Sequence, residues 1–235
     1  MILAVDTSIG STVVVVDADG VVHGSAVSET RLGHAEAIGL LLEQALAQAA
    51  VAPSDITHVV AGMGPGPFTG LRIGIAAARV FALARAVPFV PVVSHDAVAL
   101  AGGADAAPAH AAPARAAPVD AALAGPAPAD AARSGRFAVV TDARRREIAV
   151  TLYDGVDDDG MPRRIEGPKL QAAGTIGGVA LDHDSLRVVA SIDPEGLGLL
   201  AARAIASGRG AATSEPLYLR APDVTLGHTP KRVRA

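Results

Sequence analysis

Cysteine and tryptophan are absent, and aromatic residues make up only 3% of the 235 positions. Without cysteine there can be no disulfide, no thiolate nucleophile and no thiolate metal ligand, and the absence is compatible with any compartment. No apolar run is long enough to span a bilayer. The opening Met1-Ile2-Leu3-Ala4-Val5-Asp6 has no basic start and meets a charge too early for a secretory leader, so a cytoplasmic location is expected. An excess of positive charge is also missing. Twenty Lys and Arg face 24 Asp and Glu, for a net charge of −4 and a pI of about 5.9. A chain that grips RNA alone carries a basic surface, so any RNA role is expected to run through a partner. The seven histidines offer no pair four residues apart, which leaves no helical His pair for a metal.

Half of the residues are hydrophobic, but many of these are alanine, which buries little area per residue. Ile2 to Val5, Thr12 to Val16 and Val21 to Val27 read as three strands, the last two joined by an Asp19-Gly20 turn. Apolar residues then recur at helical spacing from Gly33 to Ala49. A strand at Thr57 to Ala61, a helix from Thr69 to Ala86 and a strand at Pro88 to Val93 follow, with Ser94 placed to cap a short helix through Leu100. A meander followed by helix–strand units predicts an α/β fold. From Ala101 to Gly135 about half the residues are alanine and proline recurs, which predicts a flexible linker or surface loop. Strands are predicted again at Phe137 to Thr141, Ile148 to Tyr153 and Arg187 to Ser191, with a helix from Gly196 to Ala206. Both halves open with a hairpin and end in strand–helix, which suggests a duplicated lobe. The division expected is 1–100, a linker at 101–135, and 136–235.

Asp6-Thr7-Ser8 closes the first strand. An acid there can hold hydrated Mg²⁺ and the hydroxyls can meet phosphate oxygens, but a polar turn capping a strand uses the same residues. The string Gly62-Met63-Gly64-Pro65-Gly66-Pro67-Phe68-Thr69-Gly70-Leu71-Arg72-Ile73-Gly74 leads a strand into a helix whose first N–H groups can face an anion. It has no Gly-Lys-Ser/Thr and is not a Walker loop; glycines that let the helix lie close to the sheet explain it equally well. Gly70, Gly74, Ala76, Ala77 and Ala78 can serve close packing on the chain's own sheet or on another subunit. His34, with Glu36 at the start of a helix, is expected to be solvated or capping. Arg144-Arg145-Arg146 can touch a phosphate or end a solvated hairpin, and Lys231, Arg232 and Arg234 form a basic tail. No Ser/His/Asp constellation is readable.

Ile2 to Ser8, Gly64 to Gly74, Asp142-Ala143-Arg144-Arg145 with Glu147, and Pro216-Leu217-Tyr218-Leu219-Arg220-Ala221-Pro222-Asp223 occur in an order that strongly resembles the TsaB (YeaZ) family. The match covers everything except the Ala/Pro stretch. The resemblance implies an actin-like, two-lobed α/β fold and a non-catalytic subunit. That subunit binds and activates a catalytic paralogue, TsaD, which transfers threonylcarbamoyl to the adenosine beside the tRNA anticodon. It further implies a TsaE-like ATPase in the complex, tRNA contact only through the complex, and a homodimer when the partner is missing. TsaD carries a His-Xaa-Xaa-Xaa-His metal pair, where this chain aligns Ser94 and Val98, so no metal site is expected. Asp6, Thr7, Ser8, Gly64 and Gly66 become a vestigial nucleotide site, with no cofactor on this chain alone and ATP or ADP with Mg²⁺ confined to the partner interface. The second hairpin lacks glycine, and Gly174, Gly177 and Gly178 are poorly spaced for an adenosine motif. The resemblance places the interface on the two long helices, with His34, Ile38, Leu42, Gly70, Arg72, Ile73 and Ala77 as contact positions. The rivals are a standalone ATPase or small-molecule kinase of the same fold, and a glycoprotease, for which no nucleophile–base pair is visible.

Overall fold

A computed structural model describes residues 1–30, 33–101, 135–143, 146–172, 186–189, 191–211 and 214–219. The first half begins with β1 (Ile2–Asp6), β2 (Ser11–Val16) and β3 (Val22–Ser28), an antiparallel meander. Then come α1 (His34–Gln48), β4 (His58–Gly62), α2 (Phe68–Arg85), β5 (Phe89–Val92) and α3 (Ser94–Leu100). The strands form one five-stranded sheet in the order β3-β2-β1-β4-β5, with β4 parallel to both β1 and β5.

The strand β1 is apolar at four consecutive positions because helices cover both faces of the sheet. The side-chain period of two sorts its residues. Leu3, Val5, Val13 and Val15 join α1 and α2 in one core, whereas Ile2, Ala4, Val14 and Val16 join α3 and a later helix in another. Gly24 lets α1 lie against β3, because a Cβ there would strike the Ala45 carbonyl and sit 2.5 Å from Ala49 N.

The second half holds β6 (Arg136–Asp142), β7 (Glu147–Val156), β8 (Pro162–Ala172), β9 (Leu186–Val188) and α4 (Pro194–Ala206). Its sheet runs β8-β7-β6-β9, antiparallel along the hairpins and parallel between β6 and β9. That is the arrangement of β3-β2-β1-β4 repeated, which is the duplication suggested by the two matching sequence openings. The inner face carries Phe137, Val139 and Tyr153 into the core shared with Ile2, Val14 and Val16. Helix α4 starts with Asp193 as its cap, whose carboxylate accepts from Gly196 N at 2.8 Å, followed by Pro194 in the first turn.

Two sequence expectations change. The eleven residues of β8 were not predicted as a strand. It is an edge strand with an exposed run at Arg163 to Gly167 and a Gly167-Pro168 step inside it, so it shows little apolar alternation. Ser94 does not cap α3: it is the helix's first residue, Val93 holds the cap position, and the Ser94 hydroxyl accepts from Gly64 N at 3.0 Å. The Ala/Pro stretch within 102–134, Arg144, Arg145, Gly174, Gly177, Gly178 and the basic tail lie outside the described residues.

Candidate functional site

The loop after β1 packs directly on the glycine-rich turn before α2. Asp6, Thr7 and Ser8 are all buried. The Thr7 hydroxyl donates to the Gly70 carbonyl at 2.7 Å and accepts from Gly74 N at 3.1 Å, which ties the loop to the first turns of α2. Two glycines make this approach possible. A Cβ on Gly74 would meet the Thr7 hydroxyl and lie 2.7 Å from its methyl, and one on Gly66 would lie 2.5 Å from the Ser8 carbonyl. Ser8 turns its hydroxyl and amide inward, to Asp6 Oδ1 at 2.6 and 2.7 Å. Gly64 sits at φ 100° in the turn, with its amide on Ser94.

Asp6 Oδ2 makes no hydrogen bond, and Gly62 lies against it because there is no Cβ to strike it. Burial raises the Asp6 pKa, while the Ser8 hydroxyl, the Ser94 hydroxyl and the Ser8 amide oppose the rise. A phosphate cradle needs open hydroxyls and amides. Here the Thr7 and Ser8 hydroxyls and the Ser8 amide are engaged within the chain, and Gly66 and α2 pack directly against both residues. The residues present therefore do not fit a nucleotide phosphate with its Mg²⁺ in this conformation.

His34 is buried, with Nδ1 2.7 Å from the Ser11 hydroxyl, which corrects the expectation of a solvated or capping residue. Its ring occupies the space beside Gly70, 3.2 Å from where a Cβ would stand. The helix starts thus fit one another through a histidine and a glycine.

The outer face of α1 and α2 has a different phase from the expected contact positions. Ile38 is buried, and Leu42, Ile73 and Ala77 pack against the core beneath. Gly70 is buried, and only Arg72 of the expected set is exposed, its guanidinium 4.7 Å from the Phe68 ring centre. The exposed apolar residues are Leu40 on α1 and Val80 and Leu83 on α2, at 56%, 65% and 82% exposure. Gly39 and Ala76 are exposed on the same two helices. The α2 start is also strapped by the chain's later segment. Leu217 N donates to the Met63 carbonyl at 2.7 Å, and Tyr218 meets Phe68 with ring centres 4.6 Å apart.

A model of the TsaD family, described as tRNA N6-adenosine threonylcarbamoyltransferase, matches residues 24–124. An uncharacterized protein of Mycobacterium tuberculosis (strain ATCC 25618 / H37Rv) is 34% identical over 235 residues, covering 94% of this chain and 92% of that one. The tRNA N6-adenosine threonylcarbamoyltransferase of Streptococcus suis (strain 05ZYH33) is 36% identical over 108 residues, which are 39% of this chain and 32% of the enzyme. YeaZ from Pseudomonas aeruginosa superposes with a TM-score of 0.62 at 24% identity, over 93% of this chain and 99% of that one. A second Pseudomonas aeruginosa structure, titled as similar to peptidase YEAZ, gives a TM-score of 0.64.

The chain belongs to one family with that Mycobacterium tuberculosis protein. Its fold is that of YeaZ, an actin-like α/β fold, with the order of the four-stranded sheet matching four strands of the five-stranded one. Ser94 and Val98, the positions expected to stand where a metal pair would be, are both interior. Ser94 is on Gly64, and Val98 is in the core between the sheets. Among the described residues no group of three His, Asp or Glu side chains is placed to hold a metal ion, and no helix is long and apolar enough to cross a membrane.

Sequence reasoning missed the buried polar cluster around α3. His95 bonds the Thr151 hydroxyl at 2.7 Å through Nδ1 and the Thr141 hydroxyl at 3.0 Å through Nε2. Burial, and secondarily the Arg164 charge, lowers its pKa to about 3, so it is neutral. Asp96 accepts from Tyr153 at 2.7 Å and pairs with Arg164 at 3.0 Å, and burial lifts its pKa to about 6 against the pull of both partners. Arg187 stacks 4.0 Å over Phe137 and donates to the carbonyls of Val98, Ala99 and Ala101, at 3.2, 2.8 and 3.4 Å. The usable signal was the run Ser94-His95-Asp96 inside an otherwise apolar segment.

Proposed function

We propose that this chain is the non-catalytic subunit of a machinery that installs threonylcarbamoyl on the adenosine beside the tRNA anticodon, and that it binds and activates a TsaD-like paralogue. The YeaZ-like fold and the TsaD-family match over 24–124 support a role in this tRNA modification. The observation that carries the partner role is the α1–α2 face. Large apolar side chains stand in solvent at Leu40 on α1 and at Val80 and Leu83 on α2, and the small residues Gly39 and Ala76 are exposed on the same two helices. Exposed apolar patches on soluble proteins mark contact surfaces, and small residues let a second helix pair come close. A paralogue presenting the equivalent helix pair would complete a four-helix arrangement, and a second copy of this chain would occupy the same face when the paralogue is missing. A TsaE-like ATPase completes the complex, tRNA is held through it, and any ATP or ADP with Mg²⁺ belongs at the interface with the partner.

The non-catalytic reading is supported by the engaged hydroxyls of Thr7 and Ser8 and by the neutral, fully bonded His95. The test begins with the threonylcarbamoyladenosine content of tRNA in cells depleted of this chain, read by mass spectrometry of nucleosides. The level should fall and be restored by wild-type protein. It should not be restored by Val80→Asp, which places a charge on the exposed side of α2 without touching the core. Ala77 is a poorer probe, since it packs on its own sheet. Loss of a central apolar contact costs on the order of 2 kcal/mol or more, about thirtyfold in affinity. Unaltered association of Val80→Asp with the paralogue would remove this face as the interface. An unchanged modification level after confirmed depletion would remove the function.

A further inference from the structure

Two-lobed proteins that clamp a ligand between their halves do so by hinge motion, which needs few specific contacts between the moving parts. The contacts between the two sheets of this chain are of another kind. Helix α3 follows β5 of the first sheet directly, and its first residue, Ser94, is bonded to Gly64 in the turn before α2. Its next two residues and its last carbonyls bond all four strands of the second sheet. His95 takes Thr141 on β6 and Thr151 on β7; Asp96 takes Tyr153 on β7 and Arg164 on β8; Arg187 on β9 takes the carbonyls at the helix end. Thr141, Thr151 and Tyr153 lie on the same face of the sheet as Phe137 and Val139, by the period of two.

Three further ties run through α4. Thr12 on β2 donates to the Ile192 carbonyl at 2.7 Å, just before that helix. Gly198 lies against Val16, 2.5 Å from where a Cβ would stand, and Gly20 lies against Leu199. The apolar core beneath is continuous, running from Ile2, Val14 and Val16 of one sheet to Phe137, Val139 and Tyr153 of the other.

We propose that α3 is a weld: its buried polar contacts hold the two sheets as one rigid body, so this chain does not open and close as a nucleotide clamp does. The argument is energetic. Opening the sheets would strip partners from His95, Asp96 and Arg187 together, and each is buried where an unmade hydrogen bond is expensive. The weld does not rest on the partner role proposed above. It has a consequence for it, since a rigid chain presents its α1–α2 face in one fixed relation to the second sheet.

The absence of cysteine makes the test direct. Ser54→Cys and Asp158→Cys place two exposed nitroxide labels, one beside each sheet, in the full-length chain. Pulsed electron–electron double resonance should give a single narrow distance distribution, unchanged by excess Mg-ATP. In the His95→Ala/Asp96→Ala background that narrow peak should be lost. Two populations in the parent, or a shift on adding Mg-ATP, would overturn the weld. An equally narrow peak in a folded double variant would also overturn it. If that variant does not fold, Arg187→Gln, which cuts only the β9 tie, is read instead. Broadening then supports the weld, and an unchanged distribution overturns it.

Discussion

His95 and Asp96 are neighbours on α3 whose charges should pull stability in opposite directions as pH falls. His95 is held neutral by burial, with its pKa near 3 against 6.5 for a free imidazole. Its pKa is depressed in the folded chain, so its contribution is fully present above pH 6.5 and is lost as pH falls toward 3, because the unfolded chain takes up the proton first. Asp96 is the reverse: burial raises its pKa to about 6 from 3.8. Its contribution is fully present below pH 3.8 and is lost as pH rises through 6. At about 1.4 kcal/mol per pKa unit, moving from pH 7 to pH 4 removes about 3 kcal/mol through His95 and returns about 2 kcal/mol through Asp96. The pair nearly cancels in the wild type. Two variants separate the terms. His95→Gln keeps a donor and an acceptor for Thr141 and Thr151 but cannot titrate; Asp96→Asn keeps an acceptor for Tyr153. Urea unfolding at pH 7 and pH 4 supplies the differences, in which groups common to all three proteins drop out. Relative to wild type, His95→Gln should lose about 3 kcal/mol less on acidification, and Asp96→Asn should lose about 2 kcal/mol more. A His95→Gln slope equal to that of the wild type would refute the buried, neutral histidine. An unaltered slope for Asp96→Asn would refute the raised carboxyl.

Thr7→Val keeps the side-chain shape but removes the bonds to Gly70 and Gly74, and should cost about 1–3 kcal/mol in urea unfolding. Gly74→Ala should cost a similar amount, about 1–3 kcal/mol, because the new methyl meets Thr7. Arg187→Ala leaves α3 without its end donor and Phe137 without its stacked cation, and about 2–4 kcal/mol should be lost, with the first excess hydrogen exchange in residues 94–101. Asp6→Asn replaces a buried carboxyl whose Oδ2 has no bond and whose charged form burial disfavours, so stability at pH 7 should be no lower than wild type, a result checked by thermal and urea unfolding together.

The elements that were readable from sequence are those with one period and clean ends. The β1–β2–β3 meander, α1 and α2 show either continuous apolar runs or helical spacing, and each is bounded by Gly, Pro or Asp. What was not readable depends on partners remote in the chain. Edge strand β8 has one neighbour and one open side, so its residues carry no alternation to detect. His95 meets its partners 46 and 56 residues away, and no local pattern announces that. On α1 and α2 the expected contact positions and the exposed apolar residues differ in phase. Ile38, Leu42, Ile73 and Ala77 are spaced as a stripe, yet spacing alone does not say which stripe faces the sheet. The core claimed those four, and left Leu40, Val80 and Leu83 outside.

The loop at the end of β1 shows how a ligand-type motif can serve a surface. Its residues are those that would approach a phosphate, but the Thr7 and Ser8 hydroxyls and the Ser8 amide have fixed internal partners, while Asp6 Oδ2 has none. Thr7 and Ser8 meet Gly66, Gly70 and Gly74, so any shift of the loop moves the first turns of α2. His34 joins α1 to the same place, through Ser11 on one side and Gly70 on the other. Under the proposed partner role, the two helices of the docking face are therefore registered against each other by this loop. Substitutions there should weaken association without any nucleotide being involved. The glycines that in sequence could let the helix lie close to the sheet make room, in the folded chain, for Thr7 and Ser8.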